Sequence, residues 1–254
     1  MHQSSLKRME WFTKNFLKED RNYKVLDIGS YDVNGSYRDL FSDKRFEYVG
    51  LDMESGPNVD IVPDKAYAWH EIENDKYDIV ISGQALEHIE FFWITVSEIA
   101  RVTKKNGLIC IIAPNGFEEH RYPVDCWRFF TDGMIALARY YKLEILHAHT
   151  NCAPSFDQSD WFSERNADSM LIARKSYEGE AQKINLEEYK CIPTKMGSTI
   201  NEMKTFEEYK QYQKVLAKET AETREEKKLT RSKLTLIRLG IYKKIKAIKM
   251  KLWS

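Results

Sequence analysis

The sequence predicts an α/β fold: a doubly wound, mostly parallel seven-stranded sheet with a C-terminal helical extension. Three observations carry this. Short apolar runs alternate with helix-like stretches from Leu6 onward. The early runs, VLDI, YVGL, DIVI and LICIIA, are apolar on successive residues, as strands covered on both faces of a parallel sheet are. Near Arg174 the pattern stops, and helix formers dominate from Phe206 to Arg231.

Taken in order, Leu6, Met9, Phe12, Phe16 and Leu17 stand at helical spacing and predict a first helix over Leu6 to Leu17. Strands follow at Lys24 to Ile28, Tyr48 to Leu51, Val59 to Val62, Tyr77 to Ser82, Leu108 to Ala113, Leu143 to His147 and Met170 to Ala173. Helices fit between them at Tyr37 to Phe41, Phe91 to Thr103 and Gly133 to Tyr141. Residues 1–175 form the sheet domain, and residues 176–205, polar and holding Pro193 and Gly197, read as a linker or lid. Residues 206–254 form the helical, basic extension.

Composition narrows the class. Apolar residues at 43% and aromatics at 13% exclude a disordered chain. Thirty-nine basic residues balance thirty-nine acidic ones, which removes a whole-chain argument for nucleic acid. The balance is uneven, since from Ser176 onward 18 basic residues face 11 acidic ones. In the tail, Leu234, Ile237, Ile241, Ile245, Ile248 and Leu252 form one helical stripe, with Lys243, Lys244, Lys246, Lys249 and Lys251 largely off it. Such a helix suits an anionic membrane surface, a second copy of the chain, or its own domain, and the sequence does not choose among them.

Cys110, Cys126, Cys152 and Cys191 show no metal-ligand spacing, so the expectation is a reducing compartment and no metal. His147 and His149 share a strand face two residues apart, as a metal pair would, but without a neighbouring carboxylate, and ordinary packing is the expectation. The N-terminus lacks the apolar core of a secretory signal, and the run Gly107 to Phe117 is too short to span a bilayer. A cytoplasmic protein, soluble or peripheral at the inner face of the membrane, is expected.

The clearest motif is VLDIGSYDVNGS, residues 25–36, in which a strand runs into Asp27 and Gly29. Glycine there lets backbone N–H groups approach a ligand beyond the carboxyl end of the strand. About 20 residues on, the next strand ends in Asp52, suited to accept hydrogen bonds from ribose hydroxyls. The glycines that seat a pyrophosphate are missing, since Ser30, Tyr31, Asp32 and Val33 follow Gly29. The site suits a nucleoside without phosphates.

In VLDIGS (25–30), YVGLDMESGPNVDIV (48–62), YDIVISGQALEHIEF (77–91) and GLICIIAPNG (107–116), the chain resembles the class I, Rossmann-like methyltransferases that use S-adenosylmethionine, specifically the type 11 group. The resemblance implies that Asp27, Gly29 and Ser30 surround the methionine and ribose portions. It puts Asp52 and its neighbour Met53 at the ribose, Asp64 at the adenine amino group, and Ser82 and Gln84 beside the methionine and the sulfonium. Tyr31 and Val33 replace the family's second and third glycines.

EHRYPVDCWRFFTDGM, residues 119–134, looks like a segment of methyltransferases associated with bacterial surface-glycan and capsule biosynthesis. It occupies the place where class I enzymes hold the acceptor. Arg121 and Arg128 suit a phosphate or other anion, or else pair with Glu118, Glu119 or Asp125. Tyr122 and Asp125 suit sugar hydroxyls, Pro123 stiffens the loop, and Trp127, Phe129 and Phe130 are expected to pack against the sheet.

Methyl transfer to an alcohol needs its proton removed, and a near-neutral histidine is an economical base. His120 in the acceptor segment is the first candidate and His88 the second. The expected activity is thus methyl transfer, to oxygen, on a surface-polysaccharide sugar or a small anionic precursor or substituent such as a phosphate or phosphoramidate. The alternatives are a nicotinamide-dependent oxidoreductase on a similar sheet, which the missing pyrophosphate glycines oppose, and a non-catalytic scaffold for glycan assembly at the membrane.

Overall fold

The computed structural model describes residues 3–116, 118–150 and 168–185. All of them belong to one unit. The predicted linker from residue 186 on, the C-terminal extension and its basic stripe lie outside the described residues.

The elements run α1 (Gln3–Phe16), β1 (Tyr23–Ile28), β2 (Phe46–Leu51), β3 (Tyr77–Gly83), α2 (Phe92–Val102), β4 (Thr103–Pro114), α3 (Thr131–Tyr140), β5 (Glu144–Thr150) and β6 (Asp168–Arg174). Two single 3₁₀ turns, Arg38–Phe41 and Leu86–His88, complete them. Among the described residues the sheet has six strands, in the order β2-β1-β3-β4-β6-β5. The first four are parallel, while β6 is antiparallel to both β4 and β5.

The seventh predicted strand, Val59 to Val62, is corrected. It makes one bridge, Leu51 to Ile61, at the sheet's edge. Asn58 with φ of 70° turns the chain in, and Pro63, which lacks an N–H, follows at once. Val62 is exposed, so its two valines mark no doubly covered strand.

Successive strand residues face opposite layers, which explains the unbroken apolar runs. Leu26, Val80, Ile109 and Ile111 pack with Val96 and Ile99 of α2 and Met134 and Ala138 of α3. Val25, Ile79, Ile81, Cys110 and Ile112 pack with Met9 and Phe12 of α1 and Phe41. The apolar area so removed from water, at roughly 25 cal/mol per Å², is the main force holding the sheet. In α1 the buried stripe is polar at its start, Ser4, Ser5 and Arg8, and apolar afterwards, Met9 and Phe12. No helix among the described residues is long and apolar enough to cross a membrane.

Candidate active site

The carboxyl ends of β1, β2, β3 and β4 lie side by side, and two groups of polar residues gather there. The first surrounds the turn after β1. Gly29 has φ of 76°, and a Cβ on it would stand 2.3 Å from Cβ of Ala85. Only glycine allows the turn to pass this close to the chain leaving β3. The Gly29 and Ser30 amides donate to the Leu51 carbonyl at 2.9 and 3.2 Å, pinning the turn to the end of β2. Asp52 follows immediately and accepts from the Tyr31 and Met53 amides at 3.0 and 2.7 Å.

Asp27 is the last but one residue of β1, inside the strand rather than in the following loop. Its buried carboxyl accepts from the Tyr48 hydroxyl, and burial pushes its pKa up to about 7. Ser30 is buried and donates to the Asn58 carbonyl at 3.1 Å, while Asn58 Nδ2 returns a bond to the Ser30 carbonyl at 2.8 Å. Arg38 lies 4.5 Å above the Tyr48 ring and bonds Asn58 and Asp60. Between the loop after β1 and Asn58 to Asp60 opens a polar hollow of about 460 Å³. Sequence reasoning missed Arg38, Tyr48 and Asn58 because their roles come from the folding back of the chain after β2.

Beyond β3 the predicted contacts separate. Ser82 is fully buried, its Oγ donating to the Ile28 carbonyl at 3.1 Å, so it ties β3 to β1. Gln84 has φ of 59°, uncommon for a residue with a side chain. Its Nε2 donates to Asp168 Oδ1 at 3.0 Å, and its buried Oε1 has no partner among the described residues. Asp168 also accepts from Ser4 Oγ at 2.7 Å and lies 3.5 Å from Arg8. Asp64 is exposed, with its amide donating to Glu71 at 2.9 Å.

The second group joins the turn Leu86–His88 to the loop after β4. His88 Nδ1 bonds the Val124 carbonyl at 2.6 Å. The Cys126 amide donates to the Glu87 carbonyl at 2.7 Å, and Trp127 Nε1 donates to the Ile89 carbonyl at 3.1 Å. These bonds bring His120 beside His88, with ring centroids 5.0 Å apart. Glu87 is fully buried between them, and neither carboxylate oxygen has a hydrogen-bond partner among the described residues. Burial pushes its pKa up to about 8 and lowers that of His88.

The arginines of this loop engage carboxylates of the chain itself. Arg128 grips both oxygens of Asp125, with Nη2 at 2.7 Å from Oδ2, and this bond holds the Asp125 carboxyl well below the usual range. Asp125 also accepts from the His120 amide at 2.8 Å. Arg121 pairs with Glu119 at 2.8 Å on the surface, and Tyr122 is exposed. Phe129 enters the core and Trp127 stacks edge-on against Phe92, but Phe130 is 59% exposed, contrary to expectation. Phe130 is the residue before α3, so its neighbour Phe129 takes the inward position. His147 and His149 bond each other at 2.8 Å, and the His147 ring packs on Trp11.

A parallel sheet with a glycine turn and an acidic residue at adjoining strand ends is an arrangement shared by nucleoside-binding folds, and comparison with known proteins decides which. The family described as the methyltransferase domain matches residues 2–166. The chain belongs to that family. No curated protein matches it. Among solved structures, the methyltransferase domain is similar to the cyclase SpnF, with a TM-score of 0.50 at 15% identity over 66% of this chain and 80% of that one. It is similar also to the CurJ carbon methyltransferase, with a TM-score of 0.50 at 10% identity over 69% of this chain and 54% of that one. A third likeness is to a methyltransferase-like protein from Bacillus halodurans, at 17% identity over 68% of this chain and 100% of that one, TM-score 0.49. The first two likenesses show the Rossmann-like methyltransferase fold.

Proposed function

We propose that the chain moves a methyl group from S-adenosylmethionine to an oxygen of a surface-polysaccharide sugar or of its small anionic precursor or substituent. The observation that carries this is the placing of the two polar groups. The Gly29 turn touches Ala85, and three residues later His88 begins the second group, so donor and acceptor residues meet at the end of β3.

The residues fit the donor. The Gly29 turn is held at the carboxyl end of β1 by the Leu51 carbonyl, and the buried Gln84 Oε1 is an acceptor awaiting a donor. Asp52, steadied by two backbone amides, is the group for the ribose hydroxyls; Asp27, Ser30, Met53 and Asp64 are assigned to the same surround by the family resemblance. S-adenosylmethionine supplies an electrophilic methyl group on a sulfonium.

The chain's own part is to position both reactants, which lowers the entropic barrier, and to take a proton. His120 and His88 stand at the acceptor and are the groups that relieve its hydroxyl of the proton. Asp125 fixes the His120 backbone, and Arg128 fixes Asp125. Tyr122 and Arg121, both exposed, meet the sugar and any anionic substituent.

The test is conversion of S-adenosylmethionine to S-adenosylhomocysteine with nucleotide-activated sugars and capsule precursors offered as acceptors. Conversion that depends on one of them supports the reading. Calorimetric binding of a nicotinamide dinucleotide but not of S-adenosylmethionine overturns it.

A further inference from the structure

No short spacing in the sequence marks a metal site, yet the fold gathers one. Glu87, His88 and His120 each present one ligating atom, and all three atoms lie within 4.8 Å of one another.

The chemistry of the pair Glu87 and His88 is fixed by their surroundings. A carbonyl only accepts, so the bond to Val124 puts the proton of His88 on Nδ1 and leaves the lone pair on Nε2. That nitrogen faces Glu87 Oε1 at 3.7 Å. Ionised, Glu87 sets two acceptors against each other; protonated, it stands too far from Nε2 to bond it; in either state its fully buried oxygens have no hydrogen-bond partner among the described residues. The nearby cation does not serve, because Arg128 is engaged with both oxygens of Asp125. A buried carboxylate without a positive partner is costly. Histidine ligands of metals commonly donate their second ring nitrogen to a backbone carbonyl or a carboxylate. His88 does so to Val124, and His120 Nδ1 sits 3.2 Å from the Glu118 carbonyl and 3.5 Å from Asp125.

We propose that Glu87, His88 and His120 bind a divalent transition-metal ion. Two imidazoles and one carboxylate suit zinc, manganese, iron(II) or cobalt better than magnesium or calcium, which prefer oxygen alone. Three protein ligands leave open positions for an oxygen from outside the chain. That this oxygen belongs to the methyl acceptor rests on the methyl-transfer reading, and with the ion bound the two imidazoles are ligands and no longer bases, the ion itself easing the proton from the oxygen; ion binding does not rest on that reading.

The experiment strips the full-length protein with a chelator and titrates it with Co²⁺, reading the visible ligand-field spectrum. A saturable spectrum distinct from that of aqueous Co²⁺, displaced by Zn²⁺, is expected. His120→Ala, on an exposed loop, and Glu87→Gln each weaken Co²⁺ binding by about tenfold or more, while circular dichroism stays that of the parent. His147→Ala leaves the titration unchanged. A spectrum that remains aqueous, or His120→Ala titrating as the parent does, overturns the site. Co²⁺ binding without turnover of S-adenosylmethionine sinks the proposed function and keeps the site; turnover without Co²⁺ binding does the reverse.

Discussion

The His88 imidazole holds the Val124 carbonyl at 2.6 Å and thereby fastens the loop after β4 to the turn after β3. Losing this donor leaves the half-buried carbonyl with only the longer bond from the Tyr122 amide at 3.4 Å, a loss of about 1 kcal/mol. His88→Ala is therefore expected to loosen residues 118–128 ahead of the sheet. Limited trypsin digestion read by mass spectrometry checks this, with faster cleavage after Arg121 in the variant. Equal rates in parent and variant would show that the loop is held by Cys126 and Trp127 alone.

Gly29→Ala places a side chain where the backbone is left-handed and Ala85 is already in the way. The conformation alone costs alanine about 1 to 2 kcal/mol, and the overlap adds to it. The melting temperature should fall by about 4 °C or more, and S-adenosylmethionine affinity should fall with it. A variant melting with the parent would mean that the turn can move away from β3.

Asp168→Ala removes the negative charge beside buried Arg8 and the acceptor that holds Gln84 and Ser4. Breaking one side of a buried ion pair costs about 3 to 5 kcal/mol, and urea unfolding should show a loss of that order. Asp168→Asn, which keeps an acceptor oxygen, should lose less. Equal losses would locate the effect in the charge, which both variants lack, and not in the hydrogen bonds.

Asp27 gives a pH dependence. Burial raises its pKa from 3.8 to about 7, against the Tyr48 hydroxyl and Arg38, which favour the charged form, and together with Asp52, which opposes it. Between those values the folded chain keeps a proton that the unfolded chain has released. Its contribution to stability is therefore present at the acid end, falls as pH rises through the window and is level above about 7. Asp27→Asn cannot lose a proton, so its stability relative to the parent should rise with pH across that interval. Thermal unfolding curves that stay parallel across the window would refute the assignment.

The sequence made much of this legible, and the gaps have physical causes. Strands buried on both faces announce themselves as apolar runs, so β1, β3 and β4 fall where expected, whereas Val59 to Val62 has the residues of a strand without its two covered faces. Gly29 and Asp52 could be read because both stand at the tips of adjoining strands, a relation that spacing preserves. Ser82 and Gln84 stand at the end of β3 as the spacing implies, but the direction of a side chain is decided by packing, and Ser82 Oγ and Gln84 Nε2 bond the Ile28 carbonyl and Asp168. The approach of His120 to His88 and the burial of Glu87 arise only when the loop folds back, and no periodicity encodes that. The adjacency of Glu87 and His88 was the available signal.

β6 has a consequence for how the chain matures. It lies between β4 and β5, so β5 has no neighbour in the sheet until β6 arrives. During synthesis, a chain that has emerged only as far as Thr150 presents the long strand β4 as an open edge, with β5 waiting unpaired. An edge of that kind is a template for other strands. Strand β6, whose first residue Asp168 meets Ser4 near the N-terminus, covers this edge and ties the first helix to the sheet. A ribosome-bound chain that stops before residue 168 is therefore expected to aggregate more readily than one that includes β6.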